Sequence, residues 1–99
     1  MRVLLTSEAA TLLESRKSWW RAHRPATADL FEREFLEAVT LIAERPELFP
    51  VAVKARGRTV HRVLMERTSC HLYYEIDEAA GIIKIVSAWG AVQGKPPRL

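Results

Sequence analysis

Val60-His61-Arg62-Val63-Leu64-Met65, His71-Leu72-Tyr73-Tyr74-Glu75-Ile76 and Ile82-Ile83-Lys84-Ile85-Val86-Ser87-Ala88-Trp89 are three strand-like runs in succession. Each is rich in β-branched and aromatic residues, which fit a pleated, half-buried surface. Arg67-Thr68-Ser69 turns the first run into the second, and Asp77 to Gly81 turns the second into the third. Gly81 can adopt the positive φ that a tight loop needs. Loops this short join antiparallel neighbours. A basic, proline-stiffened tail follows, Gly94-Lys95-Pro96-Pro97-Arg98-Leu99.

Upstream of the three runs the period changes. Val3-Leu4-Leu5 is short and apolar, so residues 2–6 read as a strand. Thr6 or Ser7 then offers a side-chain oxygen to the free N–H groups of a helix start, and Glu8 suits the positive end of its dipole. Ala9, Leu12, Leu13, Trp19 and Trp20 recur at roughly helical spacing as far as His23, and Arg24-Pro25 breaks the run. A second helix is expected from near Ala26–Asp29 to near Arg45. Leu30, Phe31, Phe35, Leu36, Val39, Leu41 and Ile42 form its apolar stripe, and Glu32, Arg33, Glu37 and Glu44 its polar side. Pro46 stops it. Val51-Ala52-Val53 reads as a short strand and Arg56-Gly57-Arg58 as a tight turn. The fold class is therefore α+β: a two-layer domain with a small antiparallel sheet packed under an N-terminal helical hairpin, in the order β-α-α-β-β-β with one further short strand.

Strand alternation assigns faces. Val63 and Met65 meet Leu72, Tyr74 and Ile76 under the helices. Arg62, Leu64, His71, Tyr73 and Glu75 then share the opposite face. That mixture of Arg, His, Tyr, Glu and Leu differs from a plain solvated face and marks it as a place for a partner or a site.

A chain of 99 residues fits one domain spanning 1–99. The apolar fraction of 48% and charged fraction of 27% are those of a soluble globular protein rather than a disordered one. The longest apolar run is too short to span a bilayer, and Glu8 interrupts the N-terminal run too early for a signal peptide. No membrane association is expected. One cysteine, Cys70, excludes an internal disulfide, and a cytoplasmic address is expected. A net charge of +3 permits an acidic partner without demanding one.

No phosphate-binding glycine loop, paired-cysteine motif or HExxH occurs, and no serine-based triad. His23, His61 and His71 are scattered over three elements, so no metal site and no cofactor are expected. His71 with Arg62, Tyr73 and Glu66 or Glu75 has the residue types for general acid–base chemistry. A ribonuclease needs a base for the 2′-hydroxyl, a cation for the phosphorane and a proton donor for the leaving oxygen. The same residues also serve as cross-strand polar pairs. Lys54, Arg56 and Arg58 cluster at a turn where they could contact phosphates or an acidic protein surface, extended by Lys95 and Arg98. A solvated, charged loop is the plainer alternative. Adjacent tryptophans on a helix point about 100° apart, so one of Trp19 and Trp20 belongs to the core and the other to an edge. Tryptophan is enriched at interfaces, which suggests a partner groove beside the first helix.

Together these segments resemble the RelE/ParE superfamily of type II toxin–antitoxin toxins, and within it the ParE-like branch. The resemblance rests on Glu8-Ala9-Ala10 with Trp19-Trp20, on Phe31-Glu32-Arg33-Glu34-Phe35 and on Arg45-Pro46-Glu47-Leu48. It rests most on His61-Arg62-Val63-Leu64, on His71 to Asp77, and on Ala88-Trp89-Gly90-Ala91 with Gly94 and Pro97-Arg98-Leu99. It covers nearly the whole chain. The resemblance implies a small sheet carrying a helical hairpin and a plasmid-stabilisation type of role. It also implies a hetero-oligomer with a cognate antitoxin, whose C-terminal segment would wrap the surface around Leu12, Trp19 and Trp20 and an open sheet edge. RelE-like members are ribosome-dependent mRNA endonucleases, whereas ParE-like members poison DNA gyrase. Here the RelE-type strand lysines fall on Arg62 and Leu64. The arginine opening the next strand falls on His71, and the arginine after the last strand on Ala91. The basic residue of many ParE-like relatives falls near Gln93. These departures point to a protein-binding gyrase inhibitor rather than an enzyme. The alternatives are an mRNA endonuclease using Arg62, His71 and Tyr73, and a member that only binds its antitoxin.

Overall fold

The computed structural model describes residues 1–91. A first strand, β1 (Arg2–Leu5), leads into α1 (Ser7–His23). The Thr6 hydroxyl accepts the Ala9 N–H at 3.1 Å, and the Thr6 N–H donates to the Ile85 carbonyl at 3.0 Å. One residue thus caps the helix and ties its start to the sheet. α1 ends at Arg24, before Pro25, as expected.

The second helix, α2 (Leu30–Glu44), starts later than the sequence suggests. Pro25–Thr27 form a separate 3₁₀ turn, pinned by the Trp20 indole N–H donating to the Thr27 carbonyl at 2.8 Å. Proline favours the first turn of such a helix, but the indole bond holds the Thr27 carbonyl away from an α-helical partner. Asp29 makes no capping bond and instead pairs with Arg33 one turn on, at 3.0 Å.

Four strands follow: β2 (Val51–Ala55), β3 (Arg58–Met65), β4 (Cys70–Asp77) and β5 (Ile82–Gly90). They form the expected antiparallel meander, and β1 adds a parallel strand beside β5, giving the order β1-β5-β4-β3-β2. Arg56 and Gly57 both have positive φ, 54° and 74°. That pair of angles matches the right-handed twist of a two-residue hairpin turn. β4 and β5 shift register between Tyr73 and Tyr74, which pair with Ser87 and Ile85. Val86 is the extra residue. It changes the parity of β5, so Ile83 and Ile85 face the helices before the bulge and Ala88 after it.

Ala9 and Leu13 from α1 and Phe31, Ala38 and Ile42 from α2 pack against Val63, Met65, Leu72, Tyr74, Ile83 and Ile85. The facing predicted for the β3–β4 hairpin therefore holds. The α2 stripe is wider than the core: Leu36 and Leu41 remain 59% and 48% exposed. No described helix is long and apolar enough to cross a membrane.

Candidate interaction surfaces

The face of the sheet away from the helices carries the polar set predicted from alternation. Arg62 lies opposite Tyr73, Leu64 opposite His71, and His71 opposite Trp89. Their environments differ. Arg62 and Leu64 are exposed, His71 and Trp89 are half-buried, and Tyr73 is only 3% exposed. His71 Nδ1 and Trp89 Nε1 are buried with no hydrogen-bond partner among the described residues. Burial, and then the Arg62 charge, push the His71 pKa below its usual value. Its imidazole is thus neutral at neutral pH. Glu75 is held by Arg58 through two bonds, of 3.1 and 2.8 Å. Hydrogen bonding from Arg58 outweighs burial and lowers the Glu75 pKa. Arg62, His71 and Tyr73 therefore share a face, while Glu75 is occupied by an ion pair further along it.

The basic hairpin is not one patch. Lys54 pairs with Thr59 and Ala55 with Arg58, so alternation puts Lys54 and Arg58 on opposite faces. Arg58 is neutralised by Glu75, and Arg56 sits exposed in the turn. Lys95, Arg98 and Gln93 lie outside the described residues.

On α1 the two tryptophans divide as expected. Trp20 packs against the core, while Trp19 is 38% exposed. The Trp19 ring stacks on His23 at 4.5 Å, and the Arg16 guanidinium lies 4.8 Å from its centroid. Leu12, Arg16, Trp19 and His23 follow one another at three- and four-residue steps, so they share a stripe. Leu12 is half-buried against the core. A different stripe of α1 borders a groove of about 230 Å³ against α2, floored by Leu5, Leu13, Phe31 and Phe35. Lys17 and Glu32 bridge the two helices beside it at 3.6 Å.

Sequence reasoning missed three anchors. Glu34 is 7% exposed, and its carboxylate accepts from the Arg67 N–H (2.8 Å), the Thr68 N–H (2.9 Å) and the Thr68 hydroxyl (2.6 Å). It fastens the β3–β4 turn to α2. The signal was present, because Phe31, Glu34, Ala38 and Ile42 recur at helical spacing along the buried stripe. The Tyr74 hydroxyl donates to the Pro46 carbonyl, and its ring stacks on His61 at 5.1 Å. His61 Nδ1 lies 2.8 Å from the Phe49 carbonyl. These two side chains fasten the connector after α2 to the sheet. His61 shares the parity of Val63 and Met65, which places it on the core face. Cys70 is fully buried, and its thiol is pushed up to about 11 by burial, so it stays protonated and unreactive at neutral pH.

A two-helix hairpin on one face of a five-stranded sheet, with the opposite face mixed apolar and basic, can be compared with known proteins. No protein-family model matches the chain, and no curated protein matches it. Among solved structures, a chain from a "Chromosomal ParDE TA system from P. aeruginosa" superposes with a TM-score of 0.70. The match covers 89% of this chain and 92% of that one. The two share a fold. Their sequences are 17% identical, so the agreement lies in architecture rather than in matched residues. The structural neighbour thus shares the helical hairpin on a small sheet that the sequence motifs led one to expect.

Proposed function

We propose that this chain is the toxin of a type II toxin–antitoxin pair, that it acts by protein contact on DNA gyrase, and that its cognate antitoxin neutralises it in a hetero-oligomer. The observation that carries the reading is the fold shared with a ParDE system protein, joined to the character of the outer sheet face. A nuclease must bring its proton donor and base to the substrate. Here Tyr73 is 3% exposed, and Leu64 and Trp89 occupy the same face, a composition suited to binding protein. The antitoxin is assigned to α1, where Trp19 stands exposed beside half-buried Leu12 and Trp20, on a different stripe from the one that borders the groove against α2. Of the basic residues expected to meet the target, Lys54, Arg56, Arg58, Lys95 and Arg98, the exposed Arg56 at the hairpin tip is assigned the leading role, since Arg58 is engaged by Glu75.

The decisive experiment is DNA supercoiling by purified gyrase with and without the protein, paired with primer extension on translated message. Inhibited supercoiling with intact message is the expected result. Undisturbed supercoiling at saturating protein refutes the gyrase assignment. Codon-positioned cuts that disappear in His71→Ala assign the protein to the endonuclease class instead. Undisturbed growth on induction without antitoxin refutes toxicity altogether.

A further inference from the structure

The two outer strands of the sheet are built differently. β2 carries a bulge between Val51 and Val53, follows Pro50 and contains Lys54. Bulges, prolines and lysines are the devices that keep an edge strand from pairing with another chain. β1 forms the other edge, since among the described residues it pairs with β5 alone. Its register with β5 is unbroken, and it contains no proline. Two of its four residues, Leu4 and Leu5, are 37% and 44% exposed.

One bond fixes the direction of the β1 backbone. The Thr6 N–H donates to the Ile85 carbonyl, so Thr6 faces β5. Alternation turns Leu4 and Arg2 the same way, and turns the N–H and C=O groups of Val3 and Leu5 to the open edge. Side chains alternate as well. Val3 and Leu5 lie beside Ile83 and Ile85 on the helix side, and Arg2 and Leu4 lie on the outer face. On the helix side Leu5 also borders the groove of about 230 Å³ over Leu13, Phe31 and Phe35. The lip of that groove carries both signs, Glu14 and Glu32 with Lys17. An unprotected edge beside an apolar groove with a rim of mixed charge is self-complementary, as a two-fold interface requires.

We propose that β1 is the interface of a homodimer, in which it pairs antiparallel with β1 of a second copy about a two-fold axis at Leu4. This goes beyond the toxin reading and does not rest on it. In that register Val3 and Leu5 of one copy exchange backbone bonds with Leu5 and Val3 of the other. Leu4 meets Leu4 of the second copy on the outer face, and Arg2 falls opposite Thr6, so no like charges are juxtaposed. An axis at Val3 or at Leu5 would send one of the edge-facing residues to a partner outside the strand. Strands of four residues bury less than the roughly 1,200–2,000 Å² of a standard interface. The two grooves therefore close against each other on the helix side, where Lys17 of one copy can meet a glutamate of the other, and the dimer is a weak one.

The test is analytical ultracentrifugation of the untagged full chain from micromolar to submillimolar concentration. A concentration-dependent shift from monomer to dimer is expected. Leu4→Lys and Leu4→Glu each set like charges against one another across the axis, and each is expected to weaken the dimer at least tenfold. An equal mixture of the two variants sets lysine against glutamate and is expected to recover dimers. That recovery, with circular dichroism of each variant, separates a lost interface from a lost fold. In hydrogen exchange the Val3 and Leu5 amides are expected to slow several-fold at the highest concentration, while those of β2 do not change. A monomer at every concentration overturns the proposal. So do dimers that persist undiminished in Leu4→Lys, a mixture no more dimeric than either variant alone, and slowed exchange at β2 in place of β1. Growth and supercoiling assays read the toxin assignment separately, so the failure of either reading leaves the other standing.

Discussion

Replacing Glu34 by alanine tests how the β3–β4 hairpin is held to α2. In the native protein one 7% exposed carboxylate accepts three hydrogen bonds, from two backbone N–H groups and one hydroxyl on Arg67 and Thr68. Bonds to a charged group contribute about 1.5–3 kcal/mol each, and a buried group left unpaired costs about 1–3 kcal/mol. The contributions do not add, because burying the carboxylate itself opposes them. A net loss of about 2–4 kcal/mol is expected for Glu34→Ala. For a domain of this size each kcal/mol moves the melting temperature by about 4–8 °C. The variant should therefore melt roughly 10–25 °C lower. Glu34→Gln keeps the shape and can still accept from Thr68, but it sets an NH₂ against an N–H, so about half the loss is expected. Thermal unfolding followed by circular dichroism reads both variants, and amide exchange at Arg67 and Thr68 localises the effect. A Glu34→Ala protein that melts within 2 °C of wild type would refute the reasoning, as would unchanged exchange at those amides.

Tyr74→Phe should lose about 1–2 kcal/mol by leaving the Pro46 carbonyl without its donor, read by urea unfolding. Burial, helped by Glu47, pushes the Tyr74 phenol up to about 12 from 10.0. The unfolded chain therefore releases this proton first, and wild-type stability should fall as pH rises through that window, with a shallower fall in Tyr74→Phe. His71 should titrate below its ordinary value in an NMR pH series, because its first cause is burial and its second the Arg62 charge. Arg62→Ala should move it part of the way back. With a depressed folded pKa, the His71 contribution is present above the unfolded value and is lost as pH falls through the folded one. Trp19→Ala should change stability by less than about 0.5 kcal/mol, as for other surface substitutions. Trp20→Ala, which loses core packing and the bond to Thr27, should cost about 2–3 kcal/mol in the same melt.

The architecture was legible in the sequence because each element carries its own period. Alternation in Val63, Met65, Leu72 and Tyr74 defined a core face, helical spacing in Ala9, Leu13, Phe31 and Ile42 defined its cover, and Pro25 and Pro46 marked the helix ends. Those are local rules of backbone geometry and burial, and the tertiary structure had no reason to override them. The start of α2 was less legible, since an indole seven residues upstream cannot be seen reaching for the Thr27 carbonyl by pattern alone.

The sites depended on contacts that join distant segments. Arg58 looked like a free cation until Glu75, seventeen residues on, was placed against it. Glu34 looked like one more helix glutamate until its three donors arrived from the β3–β4 turn, more than thirty residues away. The parallel pairing of β1 with β5, and the short reach of β2, whose register begins opposite His61, are likewise properties of strand order and register. The sequence by itself determined which residues form helices and strands and which faces are apolar, because those follow from periods of 3.6 and 2 within single segments. Only the tertiary structure decided which charges are neutralised, which tryptophan is free and which stretch of edge is open, because each is settled by what another part of the chain brings within hydrogen-bonding reach.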